Sequence, residues 1–560
     1  MKLLPALGLL LLSISCNTLT SGDREPGDDA STAAVKSETP FVWEGANIYF
    51  LLTDRFNNAD PTNDVNFDRT LETGVLRGFE GGDLKGITQK INEGYFNDLG
   101  VNAIWMTPVV EQIHGDTDEG TGRTYGYHGY WTKDWTAIDP NYGTKEDLHD
   151  LVSAAHENGI RILLDAVINH TGPVTAKDPQ WPDEWVRNDT ACTYQDYETT
   201  VTCTLVENLP DIRTESNEEV GLPPQLVQKW KDEGRYEQEM AELDEFFERT
   251  GHPRAPRFYI MKWLADYITE FGIDGYRVDT VKHTEEYVWQ EFKEVADYAF
   301  EEFKRNNPEK VIDENDFYLV GEVYNYGISG GQDFDFGDRK VNYFDNAFNS
   351  LINFEFKWNA QQQEPEALFQ KYDGLLSQEL EGFGTVNYLS SHDDGQPFDK
   401  LREKSYETAS LLLLSPGTSQ IYYGDETARS LTIDGTVGDA TLRSMMNWED
   451  VSSDPETGEI LSHWQKMGKF RAAHPAVGAG KHKLISEEPH YFLRRYEEGD
   501  YEDLVVVGLN VPAGAKSVPV QNIFEDGERI RDAYSGNTEV VNNSKIEFDT
   551  PYEYLLLERE

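Results

Sequence analysis

Basic residues are scarce in this chain of 560 residues: 49 Lys and Arg stand against 102 Asp and Glu, giving a formal net charge of −53. Such a surface repels nucleic acid and anionic membranes, because phosphate recognition requires Lys and Arg. It is compatible with neutral substrates, with bound cations and with salty surroundings, where screening weakens self-repulsion. The charge therefore excludes nucleic acid as a partner, but it does not indicate the fold.

Long apolar runs are also scarce, and the N-terminal one is too short to span a bilayer as a helix. It extends from Leu3 to Leu12, follows Lys2 and ends just before Cys16. This pattern is typical of a secretion signal over residues 1–16. Cys16 lies where a bacterial lipoprotein signal has its lipidated cysteine, so we expect lipidation there; the alternative is an ordinary cleaved signal with an incidental cysteine. Residues 17–40, rich in Ser, Thr, Asp, Gly and Glu, are expected to form a flexible tether.

Only three cysteines are present, and Cys192 and Cys203 lie close together in one polar region. In an oxidising compartment these two can pair, which leaves Cys16 as the odd one, as lipidation would require. We therefore predict a Cys192–Cys203 disulfide and an exported protein. It would be an outer-membrane or cell-surface lipoprotein, touching the membrane only through its lipid anchor, or a periplasmic or secreted protein.

From Asn47 onward, short β-rich runs alternate with helical patterns. A hydrophobic content of 38% and an aromatic content of 12% are those of a globular protein. The alternation predicts a parallel sheet, and about eight strands predict a closed (β/α)8 TIM barrel of the α/β class. The predicted strands are 48–52, 101–106, 160–164, one within 271–283, 317–323, a loosely placed one between 343 and 356, 386–389 and 419–423.

Two further regions accompany the predicted barrel, which is expected to occupy residues 41–170 and 257–477. The interval 171–256 after the third strand is too long for an ordinary loop, which predicts an inserted subdomain. Within it, residues 226–250 are expected to form a charged amphipathic helix. From residue 478 to residue 560 the chain turns to short β-rich runs, which predict an all-β sandwich domain.

Acidic residues follow four of the predicted strands: Asp165, Asp279, Glu322 and Asp393. In a barrel, the C-terminal ends of the strands form the mouth where catalytic side chains collect. Two carboxyl groups, one a nucleophile and one a proton donor, are the minimum for retaining glycoside hydrolysis. Arg277 lies two residues before Asp279 on the same strand face and would orient that carboxylate. The alternative is a purely structural ion pair between them.

These stretches resemble the four conserved regions of the α-amylase family, glycoside hydrolase family 13. The matching segments are Asp165–His170, Gly275–His283, Gly321–Val323 and Ser390–Asp393, in the family's order and each at a predicted strand end. The resemblance extends from about Asn47 to Pro475. Within the family, the chain is similar to secreted and periplasmic bacterial α-amylases. The β-rich C-terminal region is also similar to the usual C-terminal domain of the family.

The resemblance implies that Asp279 is the nucleophile, Glu322 the general acid/base and Asp393 the carboxylate that stabilises the transition state. Asp165 is expected to be a structural partner of Arg277 and not a catalytic acid. A set of substrate-binding residues is implied as well: His128, Tyr130, His170, Arg277, Lys282, His283, His392, Asp439 and Arg443. For the histidines and the tyrosine in this set, packing without substrate contact is the alternative.

The resemblance also implies calcium as the cofactor, at one or two sites built from hard oxygen ligands. The first would lie in the loop after the first strand, where a solvated acidic loop is the alternative. The second would tie the inserted subdomain to the barrel. The implied ligands are Asn58, Asp60, Asn63, Asp64, Gly81 and Asp83 for the first site, and Asn169, Asp211 and the carbonyl of His283 for the second.

The implied activity is hydrolysis, with retention, of internal α-1,4-glucosidic bonds in starch, glycogen or maltooligosaccharides, by a monomer whose partner is the α-glucan. Lys282 and His283 favour internal cleavage. Maltogenic, cyclodextrin-degrading and transglycosylating activities of the same family are alternatives. A non-catalytic glycan-binding surface protein is a further alternative, which the presence of Asp279, Glu322 and Asp393 disfavours.

Overall fold

The computed structural model describes residues 39–118 and 120–560. The predicted signal peptide, Cys16 and the tether as far as residue 38 lie outside the described residues. Among the residues that are described, no helix is both long enough and apolar enough to cross a bilayer.

Eight parallel strands close into a barrel, which confirms the predicted fold. The strands are β1 Asn47–Leu51, β2 Ala103–Met106, β3 Arg161–Ala166, β4 Gly275–Val278, β5 Tyr318–Gly321, β6 Ser350–Asn353, β7 Gly384–Tyr388 and β8 Thr418–Tyr422. Neighbouring strands follow the order β1-β8-β7-β6-β5-β4-β3-β2, so that each strand pairs with its sequence neighbours and β1 closes on β8.

Every residue of these eight strands is buried, as expected for a parallel sheet that side chains fill on one face and helices cover on the other. Apolar residues such as Ile48, Ile104 and Leu163 form the common core. The helices of the barrel region are Thr53–Phe56, Leu84–Asn92, Tyr95–Leu99, Lys145–Glu157, Pro256–Phe271, Glu286–Asn306, Tyr343–Asn346, Phe356–Gln362, Pro365–Gln378, Ser405–Leu413, Trp448–Ser453, Pro455–Ala473 and Pro475–Ala479.

Local sequence sets where β4 begins. The helix Pro256–Phe271 ends at Gly272, whose φ of +74° is a left-handed cap that favours glycine. A Cβ at this position would lie 2.0 Å from the ring of Phe303, so the close approach also requires glycine. The chain then enters β4 three residues later and delivers Arg277 and Asp279 to the mouth of the barrel.

The segment 171–256 leaves the barrel after β3. It contains a short antiparallel pair, Val186–Arg187 with Asp211–Ile212, and the helices Glu198–Val201, Pro224–Asp232 and Tyr236–Thr250. The prediction of one continuous helix over residues 226–250 is wrong, because Gly234 adopts a φ of +74° and separates two helices. The predicted disulfide between Cys192 and Cys203 is confirmed.

The C-terminal region is all β. Its six-stranded sheet has the order Lys481–Ser486, Tyr491–Glu498, Tyr501–Leu509, Tyr554–Arg559, Arg529–Asp532 and Thr538–Val540, and a second sheet pairs Gly514–Pro519 with Lys545–Thr550. Val518 and Ile546 of the small sheet share one apolar cluster with Val506 and Leu555 of the large one. This is the packing of a sandwich.

Candidate active site

The centre of the barrel mouth is the guanidinium of Arg277, which is buried and joins three carboxylates. Its Nη1 lies 2.9 Å from Asp165 Oδ1 and 2.7 Å from Asp279 Oδ1, and its Nη2 lies 3.0 Å from Glu322 Oε2. Asp165 lies in β3 and Arg277 in β4, while Asp279 and Glu322 directly follow β4 and β5, so three adjacent strands converge on one cation. Because Asp279 and Glu322 bind the two ends of one guanidinium, their carboxyl groups face the same small volume.

The surroundings of Glu322 favour its protonated form. Burial, followed by the nearby charges of Asp279 and Asp393, raises the pKa of Glu322 to about 8, although Arg277 opposes the shift. The backbone N–H of Thr280 donates to Glu322 Oε2 at 3.0 Å and fixes the orientation of the carboxyl group. A carboxyl group that keeps its proton near neutral pH can serve as a general acid.

Asp393, which follows β7, presents a different environment. Its side chain is 42% exposed and accepts a hydrogen bond from Ser391 Oγ at 3.3 Å. Partial desolvation raises its pKa, but His392, Arg443 and Arg277 outweigh that effect, so the pKa of Asp393 lies below its ordinary value. The site therefore contains a carboxyl group biased towards protonation and another biased towards ionisation.

Aromatic and imidazole rings from the segments that follow β2, β3 and β7 meet beside these carboxylates. Tyr130 donates through its hydroxyl to Asp165 Oδ2 at 2.9 Å, and its ring stacks on His392 with centroids 5.5 Å apart. His170 Nε2 lies 3.2 Å from the carbonyl oxygen of Tyr130, and His128 Nδ1 accepts from the backbone N–H of Tyr130 at 3.1 Å. Burial lowers the pKa of His128, His170 and His392, in the last case to about 4. These rings are therefore neutral donors and acceptors at neutral pH.

Asp439 and Arg443 join the site from the loop after β8. They form an ion pair, and Arg443 Nε donates to the carbonyl of His392 at 2.9 Å. Arg77 Nη2 binds the other oxygen of Asp439 at 2.7 Å. Nothing in the sequence pattern indicated Arg77, because it lies in an irregular loop and its partner is 362 residues away.

Lys282 and His283 lie in the turn after Asp279. Lys282 Nζ donates to the carbonyl of Tyr324 at 3.1 Å, and His283 Nδ1 lies 3.0 Å from the carbonyl of Thr200 in the inserted segment. Burial lowers the pKa of Lys282, and it lowers that of His283 to about 4. All predicted catalytic and substrate-binding residues thus meet at the mouth, either directly or through one neighbour.

The six predicted ligands of the N-terminal calcium site lie in one loop region, and two of them, Asp60 and Asp83, already bind protein groups. The buried Oδ1 atoms of Asn58 and Asn63 have no hydrogen-bond partner, and Asn58 Nδ2 lies 2.9 Å from Asp64 Oδ1. Asp83 caps the helix Leu84–Asn92 through Gly86 N, and it accepts the backbone N–H groups of residues 59 and 60. Asp60 pairs with Lys85 at 2.6 Å. Unpartnered buried amide oxygens fit a hard cation.

The predicted second site is also partly occupied by protein groups. Asp211 Oδ2 lies 2.8 Å from Arg187 Nε, and Asn169 Oδ1 accepts from Thr284 Oγ1 at 3.4 Å. Glu285 has a buried Oε1 without a partner and was not predicted. Over residues 39–118 and 120–560, no three His, Cys, Asp or Glu side chains form a group that could hold a metal. Both predicted sites also use amide or carbonyl oxygens, which belong to none of these four side-chain types.

Comparisons with known proteins show which family the chain is similar to. The model of the α-amylase catalytic domain matches residues 50–478. The periplasmic alpha-amylase of Escherichia coli (strain K12) is 35% identical over 538 residues, covering 85% of this chain and 73% of that protein. A cyclomaltodextrinase from Bacillus sp is 29% identical over 491 residues, covering 84% of this chain and 74% of that protein. In fold, the chain is similar to an Anoxybacillus alpha-amylase, with a TM-score of 0.63 at 23% identity over 93% of this chain and 99% of that one.

The family model covers most of the chain, and the carboxylates, histidines and arginines described above lie within the matched residues. The relatives carry different names, alpha-amylase and cyclomaltodextrinase, so the match fixes the family and not the bond that is cleaved. This chain belongs to the α-amylase family of glycoside hydrolases.

Proposed function

We propose that the protein is an α-amylase, which cleaves internal α-1,4-glucosidic bonds of starch, glycogen and maltooligosaccharides with retention of configuration. The observation that carries this proposal is the shared guanidinium of Arg277, which brings Asp279 and Glu322 to one reaction volume. A retaining mechanism requires a nucleophile and an acid/base at close range, whereas an inverting one requires room for a water molecule between them.

In the first step, protonated Glu322 gives its proton to the glycosidic oxygen while a carboxylate oxygen of Asp279 attacks the anomeric carbon. The bond from that carbon to the glycosidic oxygen breaks, the leaving chain departs with a free hydroxyl, and an ester to Asp279 forms. In the second step, ionised Glu322 takes a proton from water, the hydroxide attacks the anomeric carbon, and the ester breaks. Asp393 accepts hydrogen bonds from sugar hydroxyls and stabilises the positive charge that develops on the ring.

The neutral rings and the arginines hold the sugar that reacts. We assign hydroxyl binding to His128, His170 and His392, and stacking against the sugar face to Tyr130. The Asp439–Arg443 pair contacts the same ring from the other side, with Arg77 fixing Asp439. Lys282 and His283 line the side from which the leaving chain departs.

A cyclodextrin-degrading activity is the second candidate, because a cyclomaltodextrinase is among the relatives. Starch digestion separates the two. An internal-cleaving enzyme should remove most of the iodine colour of soluble starch while few reducing ends have formed. Each cut in mid-chain divides one long chain into two much shorter ones, and short chains bind iodine poorly. Reducing ends and iodine colour should be followed together, with the Asp279→Asn variant as the blank. A higher kcat/KM on β-cyclodextrin than on starch would reverse the assignment.

Calcium is proposed as the resident cofactor. Asn58, Asn63 and Asp64 would hold it in the N-terminal loop, and Asn169 with Asp211 would hold it beside the inserted segment. The ion would supply structural cross-linking of loops through oxygen ligands. It takes no part in the bond-cleaving steps above.

Removal of calcium should lower the temperature of thermal unfolding by about 5 °C or more, since an ion bound only to the folded state stabilises it by mass action. Circular dichroism with excess EGTA, followed by re-addition of Ca²⁺, measures the shift. Asn63→Ala and Asp211→Asn should each reduce this calcium-dependent change in unfolding temperature, whereas Asn542→Ala in the C-terminal sandwich should leave the change as it is. Identical melting curves with and without EGTA would contradict both sites.

Export and lipid attachment at Cys16 are part of the same proposal. The Cys192–Cys203 disulfide requires an oxidising compartment, and the relative from Escherichia coli is periplasmic. We further propose that the protein acts as a monomer on a neutral glucan, with the anchor as its contact with the membrane.

A further inference from the structure

A tyrosine of the disulfide-closed loop 192–203 has an unusual backbone. Tyr194 adopts a φ of +56°, a left-handed conformation that aromatic residues rarely occupy. The disulfide closes the loop, and the backbone N–H of Tyr194 donates to the carbonyl of Thr199 at 3.3 Å. The Tyr194 hydroxyl donates to the carbonyl of Leu205 at 2.9 Å. Strain of this kind persists only where several contacts impose it, and it is commonly found where a side chain must face a ligand.

The same loop touches the active site directly. The carbonyl of Thr200 is the partner of His283 Nδ1, and the rings of His283 and Tyr194 form a T-shaped contact at a centroid distance of 5.8 Å and an angle of 80°. Tyr194 is nevertheless 52% exposed. The loop thus fixes a half-exposed aromatic ring against a residue of the site and leaves much of its surface open.

A second half-exposed ring, that of Tyr324, lies beside Lys282, the residue before His283. Tyr324 is 51% exposed, and the ammonium of Lys282 lies 5.1 Å from its centroid. Lys282 and His283, which are consecutive in the turn after Asp279, therefore each contact a half-exposed tyrosine ring. Two such surfaces beside a row of carboxylates suit a neutral chain of sugar rings, whose C–H faces stack on aromatic rings while their hydroxyls bind polar groups.

We propose that Tyr194 is a specificity-determining residue that stacks on a glucosyl unit of the leaving chain. This inference rests on the proposed function, because it places a glucan chain on the side of Lys282 and His283. It assigns to the loop a role in choosing which bond of a long chain is cleaved. Substrates that extend past the cleaved bond gain from the contact, and substrates that end there do not.

The test compares maltoheptaose, which fills both sides of the cleaved bond, with α-maltotriosyl fluoride, whose leaving group is a single fluoride ion. Tyr194→Asn removes the ring and keeps a residue that tolerates left-handed backbone. Tyr194→Phe keeps the ring. Tyr552→Asn, which removes a 39% exposed tyrosine of the C-terminal sandwich, is the matched control. A thiol assay verifies that the disulfide remains closed in each variant.

We expect Tyr194→Asn to lower kcat/KM on maltoheptaose by about fivefold to tenfold, the size typical of a lost aromatic contact, and to leave that on the fluoride unchanged. The positions of cleavage in maltoheptaose should shift, while Tyr194→Phe and Tyr552→Asn resemble the unaltered protein. Equal losses on both substrates would overturn the proposal, since they indicate a general disturbance of His283. No loss on either would overturn it too. Failure of the unaltered protein on both substrates would instead contradict the proposed function itself.

Discussion

Replacing Asp279 with Asn should lower kcat on maltoheptaose by about 10⁴-fold or more, because an amide cannot form the ester that divides the reaction into two displacements. Asn keeps the size of the side chain and its place beside Arg277 Nη1, so binding of the substrate should survive. Isothermal titration with maltoheptaose measures binding, and reducing-sugar release measures turnover. Asp335→Asn, at an exposed position of the strand Asp333–Asp335, is the control.

An external nucleophile distinguishes a lost nucleophile from a damaged fold. In Asp279→Gly, azide can enter the vacated space and attack the anomeric carbon of α-maltotriosyl fluoride once, expelling fluoride. The single displacement inverts the centre and yields the β-azide. Formation of this product would assign the nucleophile to Asp279, whereas full activity of Asp279→Asn without azide would refute the assignment.

Glu322→Gln should lower kcat on maltoheptaose by about 10²- to 10⁴-fold, because the leaving sugar oxygen then departs without a proton. Release of fluoride from α-maltotriosyl fluoride should fall far less in the first turnover, since fluoride needs no proton donor. The ratio of the two losses is the diagnostic quantity. Glu355→Gln, a carboxylate bound by Lys371 on the adjacent helix, provides a matched Glu-to-Gln control. Equal losses on both substrates would argue that Glu322 is structural.

The raised pKa of Glu322 also fixes a direction of pH dependence. The acid must be protonated when substrate arrives, so ionisation of Glu322 should lower kcat/KM as the pH rises through its pKa. With a pKa of about 8, the alkaline limb lies well above the ordinary range of a glutamate. Because burial and the charges of Asp279 and Asp393 cause the shift, Asp393→Asn should move this limb to lower pH. An alkaline limb that persists unchanged in Glu322→Gln would belong to another group.

The barrel and the carboxyl groups at its mouth follow from local signals in the sequence. Each strand is a short buried run, and a parallel barrel gathers the residues that follow such runs at one end. Asp279, Glu322 and Asp393 could therefore be located without knowledge of any long-range contact. The inserted segment is less predictable, because its helices depend on where Gly234 interrupts an otherwise continuous amphipathic pattern.

Residues that act through distant partners could not be found in this way. Arg77 binds Asp439 across 362 positions of the chain, and Trp105 donates to Asp165 Oδ2 from a strand that is apolar throughout. Tyr194 is similar, since its position beside His283 depends on how the disulfide loop folds over the mouth. Periodicity and spacing carry no information on such contacts.

The proposed mechanism transfers the sugar to Asp279 before water releases it. Glu322→Gln should be incubated with α-maltosyl fluoride carrying a second fluorine at C5 of the reacting ring, digested with pepsin and analysed by mass spectrometry. The leaving fluoride allows the first step, whereas the second fluorine and the missing base slow the second step, so the ester accumulates. We predict an added fluoromaltosyl mass on the peptide that contains Asp279. A label on the peptide of Asp393, or turnover of the probe without any labelled peptide, would contradict transfer to Asp279.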